Sequence, residues 1–199
     1  MAENFRGFIL VDVETTGLMS PKDGHVLELG MAHFDQDLNM LDMFQSLVLT
    51  RISLKYIEDG WDRNDFAYKM HDNSGLLADL DALGNPGPEV DPVEVSRRAV
   101  QWLQTRGVTK GMKVPMTGSS VHFDKEWLTF HMPQLTEMFG YRTIDASGMR
   151  EYTRVVAPDL ASKIDADTKS ANQEHRVMPD ILDTVQLLAA MRKHGAIIS

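Results

Sequence analysis

Asp12 and Glu14 interrupt an otherwise apolar stretch, Phe8-Ile9-Leu10-Val11-Asp12-Val13-Glu14. On a strand, side chains two apart point to the same face, roughly 6–7 Å from each other. Two carboxylates held that way repel and are costly to desolvate unless cations bind them. A strand edge meeting solvent would account for the pair as well. Asp124 follows Val121-His122-Phe123 where a strand gives way to a helix, a place at which Asp commonly serves as N-cap. Asp180 follows Pro179 in the first turn of the last helix, where a carboxylate can simply offset the macrodipole. His175 stands five residues earlier in a polar stretch, beside Arg176. Each of these residues has an ordinary explanation alone. Taken in order, Asp-x-Glu on a first strand, Asp at a helix start and His-x4-Asp at a last helix form a set that could do chemistry together.

The elements that must position this set can be read from hydrophobic period and turn residues. Phe8–Val11 reads as a buried strand that continues through Glu14 and breaks at Thr15-Thr16-Gly17. Strands are expected at Val26–Phe34 and near Met43–Leu49, which makes a meander. Helical pieces follow at Trp61–His71 and Leu76–Leu83, then the turn-rich Gly84–Pro88. Asp91 as N-cap, Pro92 at the first position and Glu94 at the third start a helix that runs to about Thr105. Lys113–Thr117 reads as a fourth strand, Asp124–Met132 as a helix, Tyr141–Asp145 as a fifth strand and Ser147–Val156 as a helix. Ala157–Glu174 reads as a polar loop before the last helix, which carries Ile181, Leu182, Val185 and Leu188 on one face. The order β-β-β-α-β-α-β-α predicts an α/β fold, a mixed five-stranded sheet flanked by helices, in a single domain over residues 1–199.

The 199 residues are 43% hydrophobic and 25% charged, enough for a core and too mixed for a disordered chain. There is no cysteine, which excludes disulfides, thiolate zinc sites and a cysteine nucleophile. Phe8–Val11 is too short for a leader or a membrane span, so a cytoplasmic protein with no membrane partner is expected. The net charge of −9 argues against a long basic groove gripping duplexes through their phosphates. It leaves room for a nucleic-acid enzyme whose carboxylates are neutralised locally by divalent cations.

Asp12-Val13-Glu14-Thr15-Thr16-Gly17, Ser120-Val121-His122-Phe123-Asp124 and His175-Arg176-Val177-Met178-Pro179-Asp180 resemble the three motifs of the DEDDh 3′→5′ exonucleases. Gly118–Asp124, Met132–Leu135, Tyr141–Ser147 and Met70–Leu76 are most similar to the oligoribonuclease family within that superfamily. Thr15, where oligoribonucleases usually have Met, and Ser119, where they usually have Asn, depart from the pattern. The resemblance implies a ribonuclease H-like fold and hydrolysis of short single-stranded RNA to 5′-mononucleotides; single-stranded DNA is the alternative substrate. It implies two Mg²⁺ or Mn²⁺ ions held by Asp12, Glu14, Asp124 and Asp180, with Asp12 bridging them, and hard oxygen ligands suit those ions better than zinc or copper. His175 would be the general base. Leu18 would wedge against the bases, Ser120, Arg142 and Ser147 would cap a 5′-phosphate, and Tyr141 would reach a neighbouring subunit's site in a homodimer. The plain alternatives are a surface loop residue for Leu18 and a strand residue packed in the sheet for Tyr141. A different class, an exonuclease fold kept as a binding module, would be expected to have lost one of the five motif residues, and all five are present.

Overall fold

The computed structural model of the chain describes residues 5–18, 20–84, 90–168 and 175–197. Its centre is a sheet in the order β3-β2-β1-β4-β5. The meander comprises β1 (Phe8–Thr15), β2 (Val26–Phe34) and β3 (Met40–Leu47), paired antiparallel, while β4 (Met116–Gly118) and β5 (Thr143–Asp145) add on parallel. The α/β class, the mixed sheet and its five strands are those expected. β3 begins three residues earlier than its hydrophobic run indicated, because its first residues, Met40 to Met43, lie exposed at the sheet edge.

The alternation along β1 divides the core. Ile9, Val11 and Val13 join a large cluster with Val95, Ala99, Trp102 and Leu103 of α4 (Pro92–Thr105) and with Trp127 and Leu128 of α5 (Val121–His131). Leu10 turns the other way and packs with Ala32, Phe34 and Ile181, the last on α9 (Val177–Lys193). Asp12 and Glu14 share that second face, so the period of two aims both carboxylates at α9. Gly30, paired with Asp12 across β2, lets the helix approach: a Cβ there would lie 2.6 Å from Val177 Cβ.

Several elements differ from expectation. Asp124 is not an N-cap. α5 starts at Val121 behind Ser120, which adopts the left-handed conformation (φ 52°), and Asp124 lies on the buried stripe with Val121, Trp127 and Leu128. Residues 51–60 form a short α1 (Arg51–Lys55), opened by a Thr50–Ser53 capping box, and a π-helical turn over Tyr56–Gly60. The expected helix from Trp61 is α2 (Phe66–Asn73), N-capped by Asp65, followed by α3 (Leu76–Gly84). The turn-rich Gly84–Pro88 falls mostly outside the described residues. Pro133–Thr136 forms the one-turn α6, and α7 (Ala146–Val156) follows β5. The stretch expected as a loop from Ala157 holds α8 (Pro158–Asp167). A narrow stripe of Leu160, Ala161 and Ile164 packs beside Leu187, Leu188 and Met191 of α9, which is enough to order three turns of mostly polar sequence. Residues 169–174 of that stretch lie outside the described residues.

Candidate active site

Asp12, Glu14 and Asp180 each present an oxygen such that the three lie within 4.8 Å of one another. β1 supplies two of them through its alternation, and the first turn of α9 supplies the third. Asp124 stands just outside this tight group. Its Oδ1 accepts a hydrogen bond from the Val13 N–H at 2.9 Å, which ties α5 to the middle of β1.

The electrostatics of the group are those of charge crowded out of water. Burial is the largest cause of a rise well above the ordinary range for Asp12, and Asp124, Glu14, Asp180 and Glu28 each add repulsion. Burial and the same neighbours lift Glu14 to about 9, with Arg176 pulling in the opposite direction. Asp124 rises to about 7, chiefly by burial and against the hydrogen bond from Val13. Asp180 is raised by burial, and His175 opposes the rise. Such a cluster carries its full negative charge only when cations compensate it. Its donors are all carboxylate oxygens, the set that fits a hard divalent cation.

His175 immediately precedes the N-cap residue of α9 in the left-handed conformation, φ 41°, close enough to Asp180 to act on its charge. Asp12, Glu14 and Asp180 thus meet, with Asp124 bound to β1 through Val13 and His175 near Asp180.

The other expected site residues divide into two groups. Leu18 is 90% exposed and lines a cleft of about 510 Å³ together with Glu14, Phe66, Met70 and Phe123. Ser120 and Ser147 are brought together by Asp145. The Ser120 N–H donates to Asp145 Oδ1 (3.0 Å) and to Ser147 Oγ (2.7 Å), and Ser147 Oγ donates to the same Asp145 oxygen (2.7 Å). Arg142 and Tyr141 are exposed, and the guanidinium lies over the Tyr141 ring at 4.5 Å from its centroid instead of joining the two serines.

The profile of the exonuclease family matches residues 9–188. This chain belongs to the exonuclease family. Among curated relatives, it is 31% identical over 186 residues to the oligoribonuclease of Tropheryma whipplei, covering 94% of this chain and 91% of that protein. It is 29% identical over 194 residues to the oligoribonuclease of Alcanivorax borkumensis, and 28% identical over 197 residues to that of Escherichia coli O157:H7, with 98% of both chains covered in each case. The chain is thus an enzyme, a hydrolase of the exonuclease family, and the converging carboxylates sit within the matched region.

Three residues of the site were not singled out from the sequence. His71, fully buried, lies with Nε2 2.8 Å from the Thr15 carbonyl and Nδ1 3.7 Å from Glu14 Oε2. A carbonyl only accepts, so Nε2 carries the proton and Nδ1 turns its lone pair to Glu14. Burial lowers the pKa of this imidazole. Its signal was present in the Met70–Leu76 segment, but a fragment match gives no partner. Glu28 lies opposite Glu14 on β2 and is fully buried, and Arg176 lies against it. An acidic residue in an apolar run was the only hint of Glu28.

Proposed function

We propose that this exonuclease removes nucleotides from the 3′ end of short single-stranded RNA and releases 5′-mononucleotides. The observation that carries the reading is the convergence of Asp12, Glu14 and Asp180 within 4.8 Å, beside Asp124 and His175. The oligoribonucleases to which the chain is similar over nearly its full length support the substrate class.

In this reading Asp12, Glu14, Asp124 and Asp180 would hold two divalent cations, Mg²⁺ or Mn²⁺. A bound cation pair supplies activation of the attacking water and stabilisation of the leaving 3′-oxygen. His175 takes the proton from that water as its oxygen bonds to phosphorus. The bond from phosphorus to the 3′-oxygen breaks and that oxygen takes a proton from solvent, leaving a chain one nucleotide shorter with a new 3′-hydroxyl. The exposed Leu18 stands at the mouth of the cleft as a wedge against the bases. Ser120 and Ser147, with Arg142 swung toward them, cap the 5′-phosphate of a dinucleotide; the Arg fork suits a phosphate because it can donate two hydrogen bonds. A cap of this kind lets a chain of net charge −9 bind short oligomers without a basic groove. Tyr141, 72% exposed, serves a neighbouring subunit in a homodimer, and the enzyme works in the cytoplasm as one domain.

The test is a length series of 5′-labelled RNA and DNA oligomers, from two to twenty nucleotides, in Mg²⁺ and again in EDTA. Fast, Mg²⁺-dependent conversion of two- to five-mers of RNA is expected. Equal or better turnover of long single-stranded DNA, or activity that survives EDTA, would contradict the reading.

A further inference from the structure

Arg176 caps α9 in position but not in chemistry. Its backbone is extended at the N-cap, and its side chain makes no capping bond. The guanidinium instead reaches β2, where Nε donates to Glu28 Oε2 at 2.9 Å and a terminal nitrogen donates to Glu28 Oε1 at 2.8 Å. The other terminal nitrogen donates to Asp79 Oδ2 of α3 at 2.9 Å. Glu28 is wholly buried, and its Oε1 also accepts from Gln45 Nε2 on β3 at 2.9 Å. A two-pronged pair to a carboxylate without access to water fixes both position and angle, which a single contact would not do.

What this clamp holds is the turn that carries the site. His175 precedes Arg176 and has a left-handed backbone that a residue with a Cβ rarely adopts unless its surroundings impose it. Its charge acts on the Asp180 carboxylate, which stands in the first turn of α9. The Arg176 carbonyl accepts from the Asp180 N–H at 3.1 Å, closing the first turn of α9. One residue on, Val177 packs against Gly30.

We propose that Arg176 is the positioning residue for His175, its guanidinium clamped by Glu28 and Asp79 so that the imidazole is held over the carboxylate cluster. This rests on the reading of His175 as general base. Arg176 touches no reacting atom; it acts through the backbone it anchors. Because a displacement near 1 Å can cost about a hundredfold in rate, the clamp belongs to turnover more than to substrate binding.

The experiment uses the full chain, an RNA dinucleotide and saturating Mg²⁺, and compares Arg176→Ala, Arg176→Lys and His175→Ala. Arg176→Ala is expected to lose about 10- to 100-fold in kcat with KM within about threefold. Guanidinium at tens of millimolar should return part of that kcat by filling the vacated fork. Arg176→Lys, which keeps the charge and loses the fork, should remain impaired at an unchanged melting temperature. Wild-type kcat in Arg176→Ala, or a loss that follows the melting temperature and shows no guanidinium recovery, overturns the proposal. Should Arg176→Ala fail to fold, Arg176→Lys decides alone: full kcat there overturns the clamp, and reduced kcat in a stable protein supports it. Undiminished turnover in His175→Ala would end the general-base reading itself, whereas an inactive His175→Ala beside a fully active Arg176→Ala removes only the clamp.

Discussion

Asp124 accepts a backbone hydrogen bond and, in the proposed reading, would also hold a cation; one substitution separates the two. Its Oδ1 accepts the Val13 N–H, a bond that an amide oxygen can keep. Asp124→Asn should therefore preserve the melting temperature within a few degrees while abolishing Mg²⁺-dependent hydrolysis, because only the charge is lost; near wild-type activity would remove Asp124 from the metal site. His175→Ala should lower kcat by roughly 10²–10⁴-fold, the usual value of a positioned base, as read by single-turnover cleavage of a labelled dinucleotide. The carboxylates also set a pH dependence. Glu14, raised to about 9, and Asp124, raised to about 7, both bind a proton more tightly in the fold than in the unfolded chain. The stability they contribute is complete below about pH 4 and is lost as the pH rises through about 7 and then 9. In EDTA the melting temperature should fall between pH 6 and pH 9, and Mg²⁺ should restore it most at the alkaline end. A metal-free protein that becomes more stable over that interval would show that the carboxylates are compensated in some other way. At this scale the grouping of Asp12, Glu14 and Asp180 was legible because residue type and order survive without coordinates. His71, Glu28 and Arg176 were not, since a buried ion pair across 148 positions leaves no local pattern.

The elements explain why the site is rigid where chemistry needs it. β1 was legible throughout, because its alternation is strict and Asp12 and Glu14 break its polarity on one face only. α8 was missed because its apolar stripe is narrow and the rest is polar, so composition resembled a loop. The start of α5 was misjudged because Ser120 caps through a left-handed backbone rather than through its side chain, a device with no sequence signature outside glycine. The approach of α9 to β2 depends on Gly30. Gly30→Ala would place a methyl group 2.6 Å from Val177 Cβ, so the helix start must shift. That overpacking should cost about 1–3 kcal/mol in denaturant unfolding and lower kcat as Asp180 moves away from Asp12. Unchanged stability and rate would mean that the helix can yield without disturbing the cluster.

For the whole molecule, the acidic balance and the compact cleft belong together. A chain of net charge −9 gains little from long-range attraction to phosphate, so in the proposed reading affinity comes from local contacts: Leu18 lining the cleft, the Ser120 and Ser147 pair, and cations that the carboxylates would hold. The exonuclease family match over residues 9–188 contains all of these residues. Asp12, Glu14, Asp124 and Asp180 are proposed to hold a cation pair, and Mn²⁺ titration followed by electron paramagnetic resonance reads it directly. In the presence of a 5′-mononucleotide, the wild-type protein should bind two Mn²⁺ per chain, and Asp12→Asn and Asp180→Asn should each lose at least one. Equal Mn²⁺ binding by the wild type and both variants would show that Asp12 and Asp180 hold no cation.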